Sequence, residues 1–467
     1  MGERIEGMNY DVAIIGGGSA GYAAARATVG AGLKTAVIEG GRQLGGLCIL
    51  RGCMPTKALL WASEVVHLAQ RASVWGLLPR DVGFDFEKVM QRKDAMVEEF
   101  ASYRRQQLQD GRLSLIRASA AFANPTTLIL DNGATLTARS FIIATGSKVA
   151  PSPLPQLDSL GMMTSDDALE RRVPPKSLIV LGGGAIAVEF AQFYARLGVK
   201  VALIQRGAHL LRGFDEDAAT VVESVFQREG ICLATGTRLL DCRVEGGLKI
   251  IGYESRSQRA ECAAEEILFA LGRVPAIDSL SLESAGVRVE SGRVWTDDTM
   301  RTSVPHIWAA GDCTGRHEIV HVAIQQAELA AHNILNPANP RTIDDRLLVS
   351  VVFTEPQVAT VGLTEKAARA AGISFRTASY PFSDHGKSLI MDAKDGFVKL
   401  LACPETGEIL GGCCVGPLGG ELIHEIVVAM HQRMSVHTLA YIPHYHPTLA
   451  EIWTYPAEEL AGMIPRA

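Results

Sequence analysis

Cys48 and Cys53 are separated by four residues in the run Gly-Gly-Leu-Cys48-Ile-Leu-Arg-Gly-Cys53-Met-Pro-Thr-Lys57. They follow a candidate strand and glycine-rich turn, Asp11-Val-Ala-Ile-Ile-Gly16-Gly17-Gly18-Ser-Ala-Gly21, of the type that holds a dinucleotide. A thiol pair beside a nucleotide-borne redox group points to electron exchange between that group and a disulfide. In a regular helix, residues five apart lie about 140° around the axis, so joining them requires an irregular turn. Gly52, just before Cys53, permits one.

Such a pair needs elements that hold it against the nucleotide, and the chain repeats the necessary unit. Ser177-Leu-Ile-Val-Leu-Gly182-Gly183-Gly184-Ala-Ile-Ala187 copies the strand, turn and helix start of residues 10–21. Each copy has a second strand after it, Lys34-Thr-Ala-Val-Ile-Glu39 in the first and Val199-Lys-Val-Ala-Leu-Ile-Gln205-Arg206 in the second. One glycine fingerprint is a weak signal, whereas two with this spacing imply two dinucleotides. In the first, Gly16, Gly18 and Gly21 set a pyrophosphate against a helix N-terminus, and Glu39 is placed to accept ribose hydroxyls. Phe141-Ile-Ile-Ala-Thr145-Gly146 reads as a strand ending in a tight turn, and His306-Ile-Trp-Ala-Ala-Gly311-Asp312-Cys313 as a strand with an acid at its end and a helix after it. From about residue 346 the texture changes to short β-rich runs, Val349–Phe353 among them, which suggests a separate α+β domain.

The composition limits what else the chain can be. Its 467 residues allow two to four domains, and 47% hydrophobic with 21% charged residues is an ordinary globular balance. A net charge of −6 without a long basic run gives no reason to expect nucleic acid, and no apolar stretch suggests a membrane span. Met1–Gly7 is polar and charged, unlike a secretory signal. Nine cysteines are too sparse for a disulfide framework, so a redox pair in a reducing cytoplasm is expected. No residues are assigned to a metal.

Taken together, the thiol run, both fingerprints, Ala144-Thr145-Gly146, Gly311-Asp312 and His446-Pro447-Thr448-Leu-Ala-Glu451 resemble the flavoprotein disulfide reductases over essentially the whole chain. The resemblance implies an α/β fold with two Rossmann-like dinucleotide-binding domains and a C-terminal α+β dimerisation domain. The expected division is an FAD domain (1–150 and 276–345), an NAD(P) domain (151–275) and an interface domain (346–467). It implies FAD on the first fingerprint and Asp312, a pyridine nucleotide on Gly182 and Gly184, and a homodimer. Cys53 would be the thiol against the flavin and Cys48 the outer thiol that attacks the substrate disulfide. Lys57 and Glu189 would form an ion pair beside the flavin. His446 and Glu451 would form an acid–base dyad acting on the other subunit's thiols, which suits an imidazole titrating near neutrality.

The chain departs from its relatives at the second nucleotide. Ala187 replaces the last glycine, and Gln205 replaces the acid that hydrogen-bonds a 2′-hydroxyl. Arg206 and Arg212, with His209 between them, fall where a 2′-phosphate is bound in some members, so NADPH is favoured over NADH. The surroundings of His446, with His444 two residues before it, resemble dihydrolipoamide dehydrogenase more closely. Expected partners are therefore a small disulfide or dithiol, or a lipoyl protein within a larger assembly. The alternative is an NADPH-dependent reductase of a small disulfide or of another electrophile such as mercuric ion or a quinone. Mercuric reductase itself is disfavoured, because no cysteine follows Cys414. Cys413, Cys414 and Cys313 are expected to pack as small hydrophobes.

Overall fold

The computed structural model describes residues 8–78 and 82–466. The N-terminal run Met1–Gly7, read above as unlike a secretory signal, lies outside them. The chain forms two compact units, the first from 1–56, 91–151 and 272–343, the second from 57–90, 152–271 and 344–467.

In the first unit, the strand Met8–Ile15 runs parallel to Thr35–Ile38 on one side and Thr135–Ile143 on the other. Ser114–Ile116 extends the first side and Ile307–Ala309 pairs parallel with Thr135–Ile143. All four residues of Thr35–Ile38 are buried, as expected for a parallel strand covered on both faces. The helix Ser19–Gly30 buries Ala20, Gly21, Ala23, Ala24 and Ala25, so only small side chains separate it from the sheet. A β-carbon on Gly21 would fall 1.8 Å from the Gly16 carbonyl oxygen. Glycine is required there by the close approach of helix and strand.

In the second unit, the order Cys232–Ala234, Lys200–Ile204, Ser177–Leu181, Glu266–Phe269 makes a four-stranded parallel sheet. The helix Ala185–Arg196 follows its glycine turn, and Thr237–Glu245, Leu248–Ser255 and Gln258–Ala264 form an antiparallel meander. A five-stranded antiparallel sheet, built from Val349–Val352 to Ile409–Gly416, carries the helices Gly419–His431 and Thr454–Met463. Phe382, Ile423, Ile426 and Trp453 are buried in its core.

The α/β fold class is the expected one. One local expectation needs correcting. Asp312 opens a short 3-10 turn, Asp312–Thr314, and the α-helix begins only at Val320. Cys313, Cys413 and Cys414 are buried, and burial pushes the thiols of Cys313 and Cys413 up to about 12. They are inert packing groups at neutral pH. No helix among the described residues is long and apolar enough to cross a membrane.

Candidate active site

In the first unit, Cys48 lies in the helix Gly46–Arg51 and Cys53 opens the helix Cys53–Gln70. Gly52 breaks the two. A β-carbon there would lie 3.0 Å from the Leu47 oxygen and 3.1 Å from Cys48 Cα, so the chain doubles back onto Cys48. This supplies the irregular turn that a thiol pair at this spacing needs, and both cysteines are half-buried.

The same unit holds the first fingerprint. Gly16 has φ +108°, and a β-carbon on it would meet the Ala144 oxygen at 2.3 Å, so the glycine turn presses against the end of Thr135–Ile143. Gly18 is the N-cap of the helix that starts at Ser19, leaving its first N–H groups for an anion. Gly46 would meet Gly18 Cα at 2.6 Å if it carried a β-carbon, which brings the start of the Cys48 helix to the same turn. Glu39 accepts the Gly17 N–H at 2.7 Å and the Gly41 N–H at 2.6 Å, so its carboxylate is anchored at the end of the second strand.

Asp312 is positioned by residues the sequence did not single out. Ser147 donates to Asp312 Oδ2 at 2.7 Å and accepts from Arg273 Nε at 2.8 Å. Gln326, fully buried, accepts the Gly311 N–H at 2.8 Å. Two buried polar groups here have no partner among the described residues, Thr145 Oγ1 and Gln326 Nε2. Unsatisfied buried groups are costly, and a polar cofactor is one way to satisfy them. A helix N-terminus for a pyrophosphate, an anchored carboxylate for a ribose and unpaired polar groups beside Gly146 and Asp312 together fit FAD.

Arg104 also escaped the sequence reading. Its guanidinium stacks 3.9 Å over Tyr22, and its Nε and Nη1 are buried without hydrogen-bond partners among the described residues. Burial lowers its pKa, opposed by Tyr22 and then by Cys48. The Arg104 guanidinium and the Cys48 thiol are thus electrostatically coupled.

The second unit holds three further sets. Lys57 Nζ contacts Glu189 Oε2 at 2.8 Å and Oε1 at 3.0 Å. Glu189 is 2% exposed and also accepts the Phe353 N–H at 3.0 Å, while Lys57 lies over the Phe353 ring. At the second fingerprint, Gly182 has φ +121° and a β-carbon on it would meet the Ala270 oxygen at 2.2 Å. Gly184 is the N-cap of Ala185–Arg196, and Ala187 is fully buried. A β-carbon on Gly183 would lie 2.8 Å from the Gln205 side chain, so Gln205 sits directly under the turn. Arg206 and Arg212 are exposed, and the Arg206 backbone N–H donates to Gln205 Oε1 at 3.0 Å. His209 instead faces Glu223 at 3.4 Å.

The third set joins His446 and Glu451. His446 Nδ1 lies 2.9 Å from Glu451 Oε2 and 3.2 Å from Oε1. The imidazole is 76% exposed and the carboxyl side chain only 10%, an open imidazole backed by a buried carboxylate. His444 is bound elsewhere, to Glu425 Oε1 at 2.7 Å.

Residues 10–327 match the pyridine nucleotide-disulphide oxidoreductase family, and residues 348–457 match its dimerisation domain. The chain is 36% identical to a dihydrolipoyl dehydrogenase of Thermus scotoductus, covering 97% of each protein. It is 33% identical to one of Bacillus subtilis, covering 95% of this chain and 96% of that protein. Among solved structures, LpdA of Mycobacterium tuberculosis superposes with a TM-score of 0.86 at 27% identity, over 97% of this chain and 99% of that one. The HOCl-induced flavoprotein disulfide reductase RclA of Escherichia coli, as its Cu(II) complex, gives 0.85 at 27% identity over the same shares.

Proposed function

The chain belongs to the pyridine nucleotide-disulphide oxidoreductase family, FAD-dependent enzymes acting on sulfur groups, and we propose that it couples NADPH to a small or lipoyl disulfide through Cys48 and Cys53. FAD, when bound, exchanges a hydride with the nicotinamide and an electron pair with a disulfide. In this account Gly16, Gly18, Gly21, Glu39, Thr145, Gly146 and Asp312 hold FAD, and Gly182 and Gly184 hold the pyridine nucleotide. Lys57 and Glu189 form the charged pair beside the flavin.

The thiol chemistry follows from residue types. The Cys48 thiolate attacks one sulfur of the substrate disulfide, forming a mixed disulfide and expelling one thiolate. The Cys53 thiolate then attacks the Cys48 sulfur, forming Cys48–Cys53 and expelling the second thiolate. His446 protonates the departing thiolates, with Glu451 holding its tautomer and stabilising the imidazolium. A homodimer in which His446 serves the other subunit's thiols is part of the same proposal. The matched dimerisation domain supports it, as does the high exposure of His446.

NADPH is preferred in this account because Arg206 and Arg212 are exposed cations near the end of the strand that carries Gln205, where a carboxylate would repel a 2′-phosphate. The dihydrolipoyl dehydrogenase relatives support a lipoyl-type substrate. The domain division given above (1–150 with 276–345, 151–275, 346–467) is part of the proposal; the large sheets fall within its separate parts, while Arg273–Pro275 pairs with Ser147–Val149 across its boundaries, and the compact units place 57–90 and 272–275 on the other side of it. Cys232, Cys242, Cys262, Cys403 and the three buried cysteines stand as thiols, which suits a reducing cytoplasm.

The observation that carries this function is the doubling back of the chain at Gly52 onto Cys48, beside the first glycine turn. The test is steady-state turnover with NADPH and NADH against lipoamide and glutathione disulfide. Turnover of lipoamide with NADPH, lost by about a thousandfold or more in Cys48→Ser, is expected. Unchanged turnover in Cys48→Ser would overturn the assignment.

A further inference from the structure

Glu451 is shared between two histidines. On its buried side His385, fully buried, places Nε2 3.4 Å from Glu451 Oε1. His385 Nδ1 lies 2.8 Å from Ser388 Oγ, and Ser388 is fully buried as well. The imidazole is wedged edge-to-face between Phe382 (6.2 Å, 83°) and Tyr455 (6.4 Å, 85°). The segment also reaches the exposed histidine, since a β-carbon on Gly386 would lie 3.9 Å from His446 Cε1.

The tautomer follows from the neighbours. If Nδ1 carried the proton, the Nε2 lone pair would face a carboxylate and be repelled. With the Ser388 hydroxyl donating to Nδ1, the proton sits on Nε2 and faces Glu451. Among the described residues Nε2 makes no hydrogen bond of ordinary geometry; it faces the Glu451 carboxylate at 3.4 Å, and the Thr448 backbone also acts on the ring. Burial pushes His385 below the usual histidine range, opposed by Glu451, helped by His446 and opposed by the Thr448 backbone. It is therefore neutral at neutral pH. The charged or titratable groups that face it are Glu451, His446 and the Tyr455 ring.

We propose that His385 is a positioning residue for His446: its neutral Nε2–H shares the Glu451 carboxylate from the buried side, fixing the carboxylate and tempering the basicity it confers on His446. This inference rests on the dyad role given to His446 and Glu451 above. A carboxylate that already faces one N–H stabilises a second, protonated imidazole less than an unshared carboxylate would.

The test is the pH dependence of lipoamide turnover by the FAD-loaded enzyme in three variants. In His385→Phe the ring is replaced without an N–H. The limb of the pH profile assigned to His446 should then move up by about half a unit, about threefold in proton concentration, with kcat lowered and KM for the nucleotide unchanged. His385→Gln, which keeps an N–H donor, should move the limb back toward wild type. The rate of flavin reduction by NADPH, which His446 does not serve, should be unaltered in both. If His385→Phe does not retain flavin, Ser388→Ala takes its place, with an expected shift of about twofold in the same direction. An unshifted limb in His385→Phe or, in its stead, Ser388→Ala, alongside a crippled His446→Ala, would overturn the inference alone. Full activity in His446→Ala would overturn the dyad and the inference with it.

Discussion

Lys57 Nζ spans both carboxylate oxygens of Glu189, at 2.8 and 3.0 Å, and Glu189 is 2% exposed. The two residues are 132 positions apart, so the pair exists only because the helix from Cys53 and the helix after the second fingerprint meet within one unit. Lys57→Met would leave a buried carboxylate that keeps, among the described residues, the Phe353 N–H alone. The expected cost is about 2 kcal/mol, discounted from that of a fully buried pair because the Lys57 side chain is one-third exposed. In the role proposed for the pair, flavin reduction by NADPH should slow by about tenfold or more, as a positioned charge is lost. Stopped-flow absorbance and thermal melting check the two parts.

Arg206 tests nucleotide choice. Arg206→Glu puts a carboxylate where a 2′-phosphate is to be bound. It should lower kcat/KM for NADPH by about a hundredfold and leave NADH unchanged or improved. The ratio of the two values from initial rates is the measurement. If both nucleotides fall equally, Arg206 is not reading a 2′-phosphate.

Stability in the second unit depends on Lys399. It is 3% exposed and contacts Asp215 Oδ2 (3.0 Å), Asp217 Oδ2 (2.7 Å) and Glu365 Oε1 (3.0 Å). Burial alone would lower its pKa, but Asp217, Glu365 and Asp215 outweigh this and raise it. Burial would raise Asp215, but the Lys366 N–H, Lys399 and the Glu365 N–H hold it below the usual range. Lys399 thus adds stability below its unfolded pKa, lost as pH rises through the higher folded value. Asp215 adds stability above its unfolded pKa, lost as pH falls through the lower folded value. Both contributions are whole between about pH 5 and 9. Lys399→Met should cost about 3 kcal/mol at pH 7, because it leaves facing carboxylates without a cation. The gap to wild type should close below about pH 4, as those carboxylates protonate; urea melts at both pH values read it.

Much of this site could be read from local sequence. The thiol run and the glycine turns announce themselves because each is a short stretch whose backbone demands particular residues. Gly21 shows why, having no room for a β-carbon. The second repeat also shows the limit of that logic, since Ala187 occupies the corresponding place and is buried without glycine. Lys57 and Glu189, 132 positions apart, were legible only through the family resemblance, and contacts across the fold that no motif carries escaped. Ser147 and Arg273 are 126 positions apart, yet together they orient Asp312. Arg104 sits on a charged helix, and nothing in its neighbours along the chain signals the Tyr22 ring beneath it. His385 lies far from Glu451 in sequence and in no motif, so only the fold brings the two together.

The most direct test of the thiol relay is anaerobic titration of the FAD-loaded protein with one equivalent of NADPH, followed by absorbance and thiol counting. Two new thiols per chain and a long-wavelength band that is absent in Cys53→Ser are predicted. Bleaching of the flavin with no gain in thiols and no such band would contradict the account.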